Sequence, residues 1–209
     1  MNILAIECST PHASLCLAGE CGVLSEAEWV AVRNHDAHLF PALEKAMQAA
    51  VPELIVVGAG PGSYGGVRVA LAAATGVGLV CGARVVAICS WDQLAEGGAY
   101  VLSDAKRGGW ALRHPDDGRI DVMDTAEVQR LLHEGATIWS VESAATLARA
   151  GLALPRTDLT PTARGLVDTW RSLTPEQQAA HASRAPEPIY VRPPHITAPK
   201  HKPWEVPTN

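Results

Sequence analysis

The sequence is short of several things, and each shortage closes off a class of protein. It has no C-x-x-C pair, and its five cysteines (Cys8, Cys16, Cys21, Cys81, Cys89) are odd in number. That argues against a zinc knuckle or a disulfide framework and for reduced thiols used as small core residues. No uncharged apolar block reaches the ~18 residues of a membrane span; the nearest, residues 69–83, is rich in Ala, Gly and Thr. No basic region precedes the first apolar run, NILAIE, so no secretion signal is expected and the chain is read as cytoplasmic. Positive charge is scarce in the first hundred residues, where only Arg33, Lys45, Arg68 and Arg84 stand against nine carboxylates. An acidic half of this kind repels a phosphate backbone, so tight unaided binding of nucleic acid is not expected.

What is present is the composition of a globular chain: 209 residues, 47% hydrophobic, 19% charged, with a net charge of -5. That length suffices for one large domain or two small lobes, each with its own core. Residues 2–7, 13–18 and 22–30 read as three strands joined by turns at Thr10-Pro11 and Gly19 to Gly22. Asp36 can cap a helix over 37–50, whose apolar residues Leu39, Phe40, Leu43, Ala46, Met47 and Ala50 repeat at helical spacing. A strand at 53–58, a glycine loop, an Ala-rich helix at 66–81 and a strand at 84–89 complete a βββαβαβ order. The class is α/β, a mixed sheet with packed helices. Ser90-Trp91-Asp92-Gln93 has the form of a capping box ahead of a short helix. Beyond it, strand-like runs at 99–102, 109–113, 119–123 and 136–141 alternate with helices that Asp124, Thr160 and Thr174 can cap. The expected division is an N-terminal lobe over 1–98, a smaller lobe over 99–192 and an extended Pro-rich tail over 193–209.

The loop GAGPGSYGGVR, residues 58–68, poses the main chemical question. Gly60, Gly62 and Gly65 spell G-x-G-x-x-G between a strand and a helix, as a dinucleotide fingerprint would. That fold also needs an acidic residue about 20 positions on, and none stands between Glu53 and Asp92. Pro61 removes one amide donor, and Gly66 occupies the place of a Walker lysine. What survives is a helix N-terminus that attracts anions, with Gly60, Gly62, Ser63 and Arg68 as weak candidates for ligand contact. The alternative is that the glycines serve tight turning and close packing. A cation in the first helical turn opposes the helix dipole, so Arg68 is expected to have an acidic partner inside the chain, on a ligand or on a neighbouring protein.

Other candidates are thinner. His35 and His38 form an H-x-x-H without a third ligand nearby, and cap or interface roles are expected of them. Glu7, at the end of the first strand, is either a catalytic or magnesium-water carboxylate or an acceptor for the amides of Ser9 and Thr10. Ser63 lacks the spacing of a nucleophile elbow. The helix at 66–81 is apolar nearly all round, so it must be covered on more than one side. A sheet covers only one, and the outer arcs of both N-terminal helices are then available to another protein.

Six stretches resemble the TsaB family: MNILAIECS (1–9), HDAHLFPAL (35–43), LIVVGAGPGSYGGVR (54–68), SWDQLA (90–95), Asp104-Ala105-Lys106 and PIYVR (188–192). The match is dense over residues 1–106, thin over 107–185, and returns at PIYVR. The resemblance implies a two-lobed actin/Hsp70-like (ASKHA) fold. It implies a subunit with no catalytic residues or cofactor of its own, which pairs with a TsaD-like catalytic subunit and a TsaE-like ATPase. Together they would place threonylcarbamoyl on the anticodon-loop adenosine of ANN-decoding tRNAs, with tRNA met only through the complex and no membrane involved. The same helices would allow a homodimer. The pairing surface would then include His35, His38, Leu39, Leu43, Met47, Val67, Arg68, Leu71 and Thr75. Glu7 stands where the family usually has Asp, Gly65-Gly66 where Thr-Gly is usual, and Lys106 where Arg is usual. Two rival readings stay open: an ATP-binding kinase or acyltransferase using Glu7 and the Gly60–Gly65 loop, and a metallopeptidase using His35 and His38.

Overall fold

The computed structural model describes residues 1–31 and 34–192, and the tail expected over 193–209 lies outside the described residues. Five strands, β1 (Ile3–Glu7), β2 (His12–Gly19), β3 (Gly22–Val30), β4 (Leu54–Gly58) and β5 (Arg84–Ile88), form one sheet in the order β3-β2-β1-β4-β5. The meander β1-β2-β3 is antiparallel, whereas β4 pairs parallel with β1 and with β5. Strands covered on both faces lose the polar alternation of a half-solvated sheet, which is why β1 and β4 read ILAIE and LIVVG. Leu4, Ile6, Ile55 and Val57 join one core with helices α1 (Asp36–Ala49) and α2 (Tyr64–Cys81). Ile3, Ala5, Leu54 and Val56 join a second core on the opposite face.

The helix that covers this second face comes from the far end of the chain. A four-stranded sheet of β6 (Tyr100–Asp104), β7 (Trp110–Arg113), β8 (Ile120–Met123) and β9 (Ile138–Ser140), in the order β8-β7-β6-β9, carries α3 (Thr125–His133) and the short α4 (Ala144–Arg149). Its core is Leu102, Leu112, Val128, Ile138 and Leu147. The chain then returns to the first sheet: α5 (Ala163–Ser172) buries Ala163, Leu166, Val167 and Trp170 against it, followed by α6 (Pro175–Ala182). The expected lobe over 99–192 is therefore not one unit, because α5 and α6 belong with the sheet of the first lobe. The two sheets are joined by a small cluster around Trp91, Val101 and Ala111 and by the ion pair of Arg113 with Asp92 at 2.7 Å.

Several local expectations change. Helix α2 starts at Tyr64, two residues early, because the Ser63 hydroxyl accepts from the Gly66 amide at 3.2 Å and caps it. His35, not Asp36, occupies the cap position of α1, with no side-chain cap bond. Thr162 caps α5 where Thr160 was expected, whereas Asp124 and Thr174 do cap α3 and α6. The Ser90–Gln93 box makes no helix cap and is followed by two single 3-10 turns, Asp92–Leu94 and Glu96–Gly98. Ser90 Oγ instead accepts from the Gly60 amide at 3.1 Å, and Gln93 Oε1 accepts from the Thr162 amide at 2.9 Å. By length and composition α2, 18 residues with a mean hydropathy of 1.4, is apolar enough to cross a membrane, although it carries Arg68 in its first turns. Its inner side nonetheless lies in the core of the sheet.

Candidate functional site

The glycine loop is a clamp on the turn between β1 and β2. The Ser63 amide donates to the Ser9 carbonyl at 2.6 Å. Gly62 lies so close to that carbonyl that any Cβ would collide with it, and its φ of 159° is itself unsuited to a side chain. Gly66 presses in the same way on the Cys8 carbonyl. Gly60 exchanges bonds with Ser90, and the Ala59 carbonyl accepts from the Ile189 amide at 2.8 Å. Three of the weak ligand candidates, Gly60, Gly62 and Ser63, thus already have packing or capping work within the chain. Among the described residues Arg68 finds no carboxylate: its Nη1 donates to Tyr64 Oη at 3.1 Å and its guanidinium lies 5.0 Å from the Tyr64 ring centroid. Tyr64 stacks in turn on Tyr190 at 5.2 Å. Sequence reasoning did not single out Tyr190, although PIYVR contains it; nothing local signals a stacking partner more than a hundred residues away.

Glu7 lies beneath this loop, fully buried. Its Oε1 accepts from the Ser9 amide at 2.7 Å, whereas Oε2 has no hydrogen-bond partner among the described residues. Gly58 makes room for that carboxyl, since a Cβ there would run into it. Burial raises the carboxyl above its usual range, and the bond from the Ser9 amide only partly offsets this. Above the turn, a cleft of about 400 Å³ opens between the two sheets, lined by Ser9, Gly62, Trp91, Asp104, Lys106 and Glu142 among others. Burial works to raise the Asp104 carboxyl, but the ammonium of Lys106, 2.9 Å away, and its amide outweigh this and hold the acid below its usual value.

His35 and His38 diverge. His35 is buried, its Nδ1 unpartnered among the described residues, and burial, assisted by His38 and opposed by Asp36, lowers its pKa. His38 is exposed and stacks on Trp29 at 6.4 Å. Among the described residues no group of three His, Cys, Asp or Glu side chains is arranged to hold a metal.

The helix surface is sorted by the sheet beneath it. Leu39, Val67 and Leu71 point into the core of the first lobe, whereas Leu43, in the same core, also lines the apolar gap between α1 and α2. The outward residues are His38, Arg68, Ala72, Thr75 and Gly76, with Met47 half-buried. Phe40 is 56% exposed, Leu79 82% and Val80 88%. Between α1 and α2 runs an apolar groove of about 650 Å³ lined by Phe40, Met47, Val69, Ala72, Gly76 and Val80. The C-terminal helices lie on the opposite face of the sheet and leave this groove open.

Residues 22–108 match the family model of TsaD, tRNA N6-adenosine threonylcarbamoyltransferase. Uncharacterised proteins of Mycobacterium tuberculosis and Mycobacterium leprae are similar: the first is 32% identical over 116 residues, 51% of this chain and 55% of that protein. The second is 33% identical over 132 residues, 56% of this chain and 36% of that protein. The chain thus spans about half the length of the first of these relatives, or less. Among solved structures, an uncharacterised protein with similarity to peptidase YEAZ from Pseudomonas aeruginosa superposes with a TM-score of 0.66 at 22% identity, over 91% of this chain and 99% of that one. YeaZ from the same organism gives 0.64 at 20%, over 90% and 99%. The chain therefore has the YeaZ-type α/β fold with two mixed sheets.

Proposed function

We propose that this chain is a TsaB-like, non-catalytic subunit that pairs with a TsaD-like catalytic subunit, joined by a TsaE-like ATPase, for threonylcarbamoylation of the anticodon-loop adenosine of ANN-decoding tRNAs in the cytoplasm. The observation that carries the proposal is the open apolar groove of α1 and α2, with Phe40, Leu79 and Val80 turned to solvent. Exposed apolar area of this kind marks a protein interface. A stable interface needs about 800 Å² from each partner, an area on the scale of two helices of 14 and 18 residues. The YeaZ-type fold and the TsaD family match over residues 22–108 point to the same complex. A second copy of the chain is the alternative occupant of the groove.

A reconstitution assay tests the reading. The purified chain alone gives no turnover, and adding it to the TsaD-like and TsaE-like subunits with threonylcarbamoyl-adenylate and tRNA restores modification. Turnover by the chain alone would overturn it.

One observation favours a second reading, a nucleotide-binding enzyme built on Glu7 and the Gly60–Gly65 loop: the unpartnered Oε2 of Glu7 below the cleft. Calorimetry with Mg-ATP separates the two. Micromolar affinity, near -8 kcal/mol, lost in Glu7→Gln, supports the enzyme, and no heat supports the partner subunit.

A further inference from the structure

A strip of aromatic and cationic side chains crosses the mouth of the cleft on a different surface from the helix groove. Tyr64 and Tyr190 are stacked on each other yet remain 49% and 43% exposed. The Arg68 guanidinium lies 5.0 Å from the Tyr64 ring centroid, beside the stacked pair. Across the cleft, the turn after β6 holds Lys106 and Arg107, both exposed, in the left-handed conformation with φ of 63° and 54°. Arg192 reaches from the end of the described chain onto Gly109 in that turn. Tyr64, Lys106, Tyr190 and Arg192 line one hollow of about 230 Å³. Asp104 and Glu142 are the carboxylates beside the strip, and Asp104 is paired with Lys106 at 2.9 Å. Arg68, Arg107 and Arg192 have no carboxylate within ion-pair distance among the described residues. The local excess of positive charge stands out in a chain whose net charge is -5.

Exposed aromatic faces interleaved with unpaired cations are what a single-stranded nucleic acid needs: a π surface for an unstacked base and cations for the phosphates on either side of it. We infer that this strip is a contact surface for an unpaired RNA segment, with Tyr64 and Tyr190 as the base platform and Arg68, Arg107 and Arg192 on the backbone. The choice of RNA over a peptide, which Tyr and Arg also suit, rests on the function proposed above; the strip itself rests on geometry. The chain's overall negative charge keeps such a contact weak by itself, so it acts when a partner subunit holds the RNA nearby.

The test titrates a fluorescein-labelled anticodon stem-loop RNA by anisotropy against the chain alone and against its complex with the TsaD-like subunit. Complex formation is checked by gel filtration of the same samples. The inference predicts that Tyr190→Ala weakens RNA binding by the complex about tenfold, in line with the loss of one stacked base. Tyr190→Phe, which keeps the ring, binds as wild type. Arg107→Ala lowers the slope of log affinity against log salt by about 0.7, one phosphate contact on a single strand. Unchanged affinity and salt slope in variants that still form the complex would overturn the inference. So would wild-type RNA binding with lost complex formation, which makes the strip a protein-docking surface. If no complex forms with any version but the chain alone binds RNA through Tyr190, the strip stands and the partner-subunit reading falls.

Discussion

Gly62 and Gly58 show at single-residue scale what the loop is for. Gly62 lets the loop touch the Ser9 carbonyl, and Gly58 leaves the space that the Glu7 carboxyl fills. Gly62→Ala is expected to cost about 1–3 kcal/mol from backbone strain alone, more once the collision with Ser9 is added, read as a lower urea midpoint. Glu7 gives a signed pH prediction. Its folded-state pKa is raised by burial, so the folded chain holds the proton more tightly than the unfolded chain. Stability contributed by that proton is present below the unfolded value and is lost as pH rises through the folded one. Glu7→Gln does not titrate, so its Tm is expected to gain on wild type as pH rises above the ordinary carboxylate range. A gain that shrinks over that rise would mean that the buried group is stabilised as an anion. His35 works in the opposite sense: its lowered pKa withdraws stability as pH falls below the ordinary histidine range.

At the scale of elements, α1 and α2 have an inner and an outer side that respond differently to substitution. Leu43 is buried in the core, so Leu43→Ala is expected to cost about 2–5 kcal/mol in thermal or urea unfolding. Val80 is exposed, so Val80→Glu is expected to change stability by about 0.5 kcal/mol or less while destroying pairing. A Val80→Glu chain that unfolds like Leu43→Ala would place that residue in the core. Periodicity made the strands of the first sheet and both helices legible, with boundaries shifted by a residue or two. It did not separate inner from outer residues in a helix apolar nearly all round, which is why the core residues Leu39, Val67 and Leu71 entered the expected pairing surface beside Leu43, which does line the groove. The Ser90–Gln93 box misled for a different reason. Both side chains spend their bonds on distant amides, of Gly60 and Thr162, and no local pattern announces a partner that far along the chain. The same holds for α5, whose apolar stripe says that it has a buried side without saying which sheet covers it.

Across the whole molecule, the first sheet is the organising layer. One face is closed by α5 and α6, which return after the second sheet, and the other by α1 and α2. Helices α5 and α6 seal the far face, so among the described residues the outer arcs of α1 and α2 remain uncovered. The polar cleft and its clamp of glycines lie at the junction of the two sheets. The α/β class was readable from the strand and helix order, whereas the return of residues 163–182 to the first sheet was not, because sequence spacing carries no information about which layer a late helix joins. The central claim, that the groove of α1 and α2 receives another polypeptide, is tested most directly by sedimentation velocity of the chain mixed with its TsaD-like subunit, wild type against Val80→Glu. The account predicts one heavier species for wild type and two separate species for a folded Val80→Glu variant. A heavier species of equal amount with both would contradict it.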